Sequence, residues 1–240
     1  MNNLLYICPK KVLNYCNMSL IQLTNIGKAF PDGENKRNSV LRDISFDVQK
    51  GDFIAIAGAS GSGKTTLLSI LGTLLQPDSG SYLLDEKDML AADIDLSVMR
   101  NHNIGFVFQE HRLMPQYTVL DNILLPVLAR QSKAKDEQIE YARRLMEITG
   151  ITSIVNQYPQ TISGGEASRV ALCRSLIMQP LLLLADEPTG QLDSDNSRNI
   201  VSLLSQINKD LGTTIVMVTH SKEVSEAANR ILTIKNGVLQ

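Results

Sequence analysis

The sequence predicts an α/β fold, a parallel sheet with helices on both faces, and three features predict it. Phe53-Ile54-Ala55-Ile56-Ala57 is a short continuous apolar run ending in glycine, as a strand buried on both faces requires. Thr65 to Leu74 then places Leu67, Leu68, Ile70, Leu71 and Leu74 at helical spacing. From Leu181 onward apolar strands alternate with helical patterns, which is how parallel strands joined by crossover helices read.

Element by element, a first strand pattern begins at Leu20, Ile21 and Leu23. Residues 1–17 carry no pattern that continues into it and are expected to be a poorly ordered or upstream extension. A polar loop is expected over Pro31 to Ser39 and a strand over Val40 to Val48. Gln76 to Gly80 reads as the turn that closes the first helix, and Ile104 to Phe108 as a further buried strand. Helices are expected at Val119 to Arg130, Lys135 to Gly150 and Glu166 to Gln179. Strands and helices then alternate: Leu181 to Ala185, Asn196 to Leu211, Thr214 to Thr219, Glu223 to Ala228, and Ile231 to Ile234. Asn236-Gly237 is a hairpin turn signal leading to Val238 and Leu239.

The bulk numbers exclude several classes. At 240 residues, 43% hydrophobic and 20% charged, the chain suits one globular domain, or one core with a lobe inserted in it. A net charge of −2 offers no basic footprint for nucleic acid. No apolar run approaches the roughly 20 residues a spanning helix needs. At the N-terminus Pro9, Lys10 and Lys11 follow a four-residue apolar stretch, the wrong order for a secretory leader. Cys8, Cys16 and Cys173 lack metal-ligand spacing and their odd number argues against a disulfide framework, so a reducing cytoplasm is expected.

Three motifs carry chemistry. Gly58-Ala59-Ser60-Gly61-Ser62-Gly63-Lys64-Thr65 matches the phosphate-binding pattern G-x-x-x-x-G-K-[ST], with Thr66 beside it. Its glycines let backbone N–H groups turn toward phosphate oxygens, and the following helix adds the positive end of its dipole. Lys64 supplies a point charge for the β- and γ-phosphates, and the Thr65 hydroxyl is a ligand for Mg²⁺. Leu181-Leu182-Leu183-Leu184-Ala185-Asp186-Glu187 is an apolar strand ending in two carboxylates. Asp186 suits a magnesium ion held through water, and Glu187 can orient the attacking water, because phosphoryl transfer needs positioning and charge stabilisation. Third, Ile162-Ser163-Gly164-Gly165-Glu166 opens a helix with Ser163 near its N-cap, making a second anion-binding helix end. One chain cannot easily bring two such ends to one triphosphate, whereas a head-to-tail dimer can.

On these residues the chain resembles the ATP-binding cassette (ABC) family, whose signature is usually written L-S-G-G-Q. Ile162 and Glu166 replace its two ends and leave the serine and glycines intact. The resemblance runs from Leu20 to Gln240. It implies a P-loop NTPase cassette with a RecA-like parallel core, an N-terminal antiparallel β subdomain, and a helical lobe inserted at roughly 110–178 of a domain spanning 18–240. It further implies that Phe30 stacks on adenine, where the family more often has Tyr, and that Gln109 reaches Mg²⁺ and the attacking water. Asp193, in Gly190-Gln191-Leu192-Asp193, would lie at the dimer seam, and His220 would contact the γ-phosphate. Ser163, Gly164, Gly165 and Glu166 of one copy would cap the ATP held by the other.

Phe106 to Pro115, Thr118 to Pro126 and Asp186 to Asp193 are similar to cassettes of the macrolide-exporter, lipoprotein-release and antimicrobial-peptide-resistance type. That likeness implies a dimer on the inner face of the cell membrane, energising a separately encoded permease that docks near the lobe. Leu113, Met114 and Val119 are candidate docking residues and equally candidate core. A soluble non-transport ATPase, such as an iron–sulfur assembly type, is the competing reading.

Overall fold

The computed structural model describes residues 19–33 and 37–240, so the expectation for residues 1–17 lies outside the described residues. Two strands, β1 (Ser19–Pro31) and β2 (Arg37–Gln49), form a long antiparallel pair. With β4 (Ser79–Leu84) and β5 (Lys87–Asp88) they make a four-stranded sheet of order β2-β1-β4-β5. Between them in sequence come β3 (Phe53–Ala57) and α1 (Lys64–Leu71). The chain continues through α2 (Leu96–Asn103) and β6 (Ile104–Val107), then α3 (Val119–Leu128), α4 (Asp136–Ile148) and α5 (Gly164–Leu176). It ends with β7 (Leu182–Asp186), α6 (Ser194–Leu211), β8 (Thr214–Thr219), the short α7 (Lys222–Ser225), β9 (Arg230–Lys235) and β10 (Val238–Leu239). The second sheet has order β10-β9-β3-β8-β7-β6 and is parallel except for the β9–β10 hairpin.

The continuous apolar strands are explained by burial on both faces. Along β3, Phe53 and Ala55 enter one core while Ile54 and Ile56 enter the other. The same alternation holds in β7, with Leu183 and Ala185 opposite Leu182 and Leu184. One core joins this sheet to α3, α4 and α5; the other joins it to α1 and the antiparallel sheet.

Several expectations are corrected. The polar loop assigned to Pro31 to Ser39 is shorter, because β1 and β2 stay paired through Phe30↔Asn38 and Pro31↔Arg37. β4, β5 and α2 had no sequence assignment, and the turn placed at Gln76 to Gly80 yields its last two residues to β4. Polar Ser79, Gly80 and Ser81 hid that strand, and Asp95 is the cap that starts α2, accepting from the Ser97 and Val98 amides. The last helix ends at Ser225 rather than Ala228. Asn236 and Gly237 both take positive φ, 51° and 76°, as a two-residue hairpin turn demands.

Within the helical segment a buried amide fixes the loop before α3. Asn122, fully buried, accepts from the Met114 amide and donates to the carbonyls of Met114, Tyr117 and Thr118. Replacing it leaves these backbone groups unpaired in an enclosed site. Asn122→Ala is expected to lower unfolding free energy by about 3 kcal/mol, read from the urea midpoint.

Candidate functional site

The glycine loop, residues 58–65, joins the end of β3 to the start of α1. Gly63 is the N-cap at φ 104°, and a Cβ there would lie 2.7 Å from Leu41 Cδ2 and 2.9 Å from the Val40 carbonyl oxygen, so both space and backbone demand glycine. It offers no side-chain cap, whereas α2, α3, α5 and α6 are capped by Asp95, Thr118, Ser163 and Asp193. The amides opening α1 are therefore open to an anion. Lys64 is 7% exposed and donates to the carbonyls of Gly58 and Ala59, both at 2.9 Å. The Ser62 hydroxyl is buried and has no hydrogen-bond partner among the described residues.

The carboxylates at the end of β7 face this loop. Thr65 Oγ1 donates to Asp186 Oδ1 at 3.2 Å, so two of the three expected magnesium ligands are in contact. Glu187 has φ 46°, a left-handed conformation uncommon for a residue with a side chain, and its amide donates to the Val218 carbonyl on β8. Its Oε2 lies 2.9 Å from His220 Nδ1, a contact between the two side chains that the sequence reading did not include. Gln109 lies beside the turn after Glu187, its Nε2 3.3 Å from where a Cβ on Gly190 would be.

The Ser163 end of α5 is built differently. Ser163 Oγ accepts from the Glu166 amide, while the Ser163 amide and hydroxyl both donate to Glu166 Oε2 at 2.8 and 2.7 Å. These bonds hold the Glu166 carboxyl below its usual range. Gly164 and Gly165 lie against Leu192 and Asn196. Asp193, beside them, caps α6 by accepting from the Asn196 amide and side chain.

Sequence reasoning missed the residues that tie these parts together. Arg174 on α5 donates to the carbonyls of His111 and Arg112, just after Gln109, and the His111 ring lies 3.3 Å from Ser168 Oγ. Burial first, then the Arg174 charge, pull His111 below the usual histidine value against a bond to Gly164 that raises it. Of the three candidate docking residues, Val119 is in the core, Leu113 packs against it, and Met114 is exposed. A cleft of about 740 Å³ opens nearby, lined by Arg100, Phe106, Phe108, Leu125, Arg130 and Met178 among others.

Burial, the hydrogen bond to Thr65 working against it, and the neighbouring Glu187 charge leave Asp186 above the ordinary aspartate value of 3.8. A folded-state value above the unfolded one means that its contribution is most favourable at low pH and is lost as pH rises through the folded value. Asp186→Asn is therefore expected to raise the melting temperature of the nucleotide-free protein, by a margin that widens from acidic to neutral pH. Thermal unfolding across that range checks it.

Residues 41–190 match the family described as ABC transporter. The lipoprotein-releasing system ATP-binding protein LolD of Bordetella pertussis is 41% identical, over 92% of this chain and 95% of that protein. The macrolide export ATP-binding/permease protein MacB of Rhodopirellula baltica is 40% identical, over 92% of this chain and 32% of that longer protein. Among solved structures, a dimeric ATP-binding cassette in a post-hydrolysis state bound to ADP and Pi has a TM-score of 0.82 at 34% identity, covering 92% of this chain and 96% of that one. Matched by that family model over residues 41–190 and by a relative 41% identical over 92% of its length, the chain belongs to the ABC transporter family.

Proposed function

We propose that two copies of this chain clamp two ATP molecules head to tail and that hydrolysis drives a separate membrane permease, the pair working at the inner face of the membrane. As a member of its family the chain is an ATP-binding subunit and an ATP hydrolase. One observation carries the dimer: α1 has an open N-terminus for phosphate, while the Ser163 end of α5 lies against Leu192 and Asn196. Each chain would thus supply complementary halves of two sites.

In this reading Gly58 to Thr66 wrap the triphosphate, Lys64 turns from its two carbonyls to the β- and γ-phosphates, and Phe30 stacks on adenine. The donor set fits magnesium: Thr65 and Asp186 offer hard oxygens facing each other, and Gln109 adds an amide oxygen. Among the described residues no cluster of three His, Cys, Asp or Glu could hold a metal alone, so phosphate oxygens would complete the set. Bound there, magnesium would neutralise charge on the phosphate oxygens.

Glu187 orients a water in line with the γ-phosphorus and accepts its proton at the carboxylate. His220, whose side chain is 68% exposed, is free to leave Glu187 for a γ-phosphate oxygen. Ser163, Gly164 and Gly165 of the other copy close the far side, with Asp193 and Glu166 at the seam. Because ATP binds the closed pair better than the open one, binding and hydrolysis move the helical lobe, residues 110–178, against the core of the 18–240 domain. The 740 Å³ cleft beside that lobe is the place for a permease segment. Relatives named for lipoprotein release and macrolide export favour transport over an iron–sulfur assembly role.

Glu187→Gln is expected to keep ATP binding, lose turnover by about a hundredfold or more, and accumulate as a nucleotide-bound dimer on size-exclusion chromatography. Wild-type turnover in that variant contradicts the assignment. Lys64→Ala is expected to weaken ATP binding by roughly tenfold or more in calorimetric titration.

A further inference from the structure

Strand β1 loses its neighbour β4 before it reaches Phe30. The last β1–β4 pair is Gly27↔Ser79, and on that edge the backbone of Ala29 has no strand to bond. Asp78, the residue just before β4, takes the strand's place. Its Oδ2 accepts from the Ala29 amide at 2.9 Å and from Arg37 Nη2 at 2.9 Å, while its Oδ1 accepts from Lys28 Nζ at 2.9 Å. Arg37 also donates to the Ala29 carbonyl at 3.3 Å. One carboxylate with its guanidinium partner therefore holds both backbone polar groups of the residue preceding Phe30.

The third partner reaches the ring itself. Lys28 Nζ lies 5.7 Å from the centroid of the Phe30 ring, over one face, and its side chain is only 13% exposed. Asp78 thereby fixes the cation behind the ring as well as the strand beneath it. Phe30 remains 37% exposed, and in this reading the face opposite Lys28 would take a planar ligand. The three donors hold the Asp78 carboxyl below its ordinary range, so the arrangement persists at neutral pH.

We propose that Asp78 is a positioning residue for nucleoside recognition, setting the Phe30 ring through Ala29, Arg37 and Lys28. The inference rests on the reading that Phe30 stacks on the base. Asp78 touches neither the glycine loop nor the carboxylates of β7, so its effect belongs to the base and not to the phosphates.

The test compares ATP with inorganic tripolyphosphate, which has phosphates and no base, by calorimetric titration of the full chain. Asp78→Ala is expected to weaken ATP binding about three- to tenfold, the worth of one well-placed aromatic contact, and to leave tripolyphosphate within about twofold. KM for ATP rises accordingly while kcat holds. In a Phe30→Ala background the same change is expected to have almost no further effect on ATP, because the carboxylate acts through the ring. Should the alanine variant fail to fold, Asp78→Asn keeps an acceptor for the Ala29 amide, removes the charge, and is expected to show the same pattern more weakly. Equal losses for ATP and tripolyphosphate overturn the proposal, as does unchanged ATP binding where Phe30→Ala alone weakens it. Unchanged ATP binding in Phe30→Ala overturns instead the base-stacking reading beneath it.

Discussion

Lys64 carries its ammonium group into a site where it is almost wholly shielded from water, held by two carbonyl oxygens and, among the described residues, by no carboxylate. Beside it, among the described residues, the first amides of α1 have no capping side chain and the enclosed Ser62 hydroxyl has no partner. A buried cation and a row of unpaired donors form a pocket of positive potential whose natural complement is a polyanion. Much of the fold maintains this arrangement. β3 and β8 anchor the loop from behind, Val40 and Leu41 press on Gly63 from the side, and β7 delivers Asp186 opposite Thr65.

The parts of the site that lie in unbroken stretches were legible in the sequence. A phosphate loop needs glycines and a lysine at fixed spacing, and paired acids need a strand end. Even the cap of α5 could be read from Ser163 and Glu166, three residues apart. The contacts that aim those parts were not legible, because they join residues far apart in the chain. Asp78 meets Lys28 and Arg37 across 50 and 41 positions, and Arg174 meets His111 across 63. No local periodicity encodes such a pairing.

The fold shows the same division. Strongly apolar β3, β7 and β8 were plain, since burial on both faces leaves an unmistakable run. The β4 strand was hidden because it opens with Ser79, Gly80 and Ser81, and tertiary pairing with β1 overrides their weak strand preference. Val119 illustrates a choice that the sequence left open: an apolar residue near a helix start could serve a surface or the core, and only packing decides.

The bond between Ser163 and Glu166 has a consequence for selectivity. The α5 terminus already holds an anion of its own, tethered at short range, so an incoming group that used the Ser163 hydroxyl would have to displace that carboxylate. The gain is a difference between two rivals rather than the full strength of either. A tethered competitor of this kind would turn away weak monovalent ions and would yield only to a more highly charged group such as a terminal phosphate. The side chain that departs from the usual glutamine would thus act as a threshold on charge.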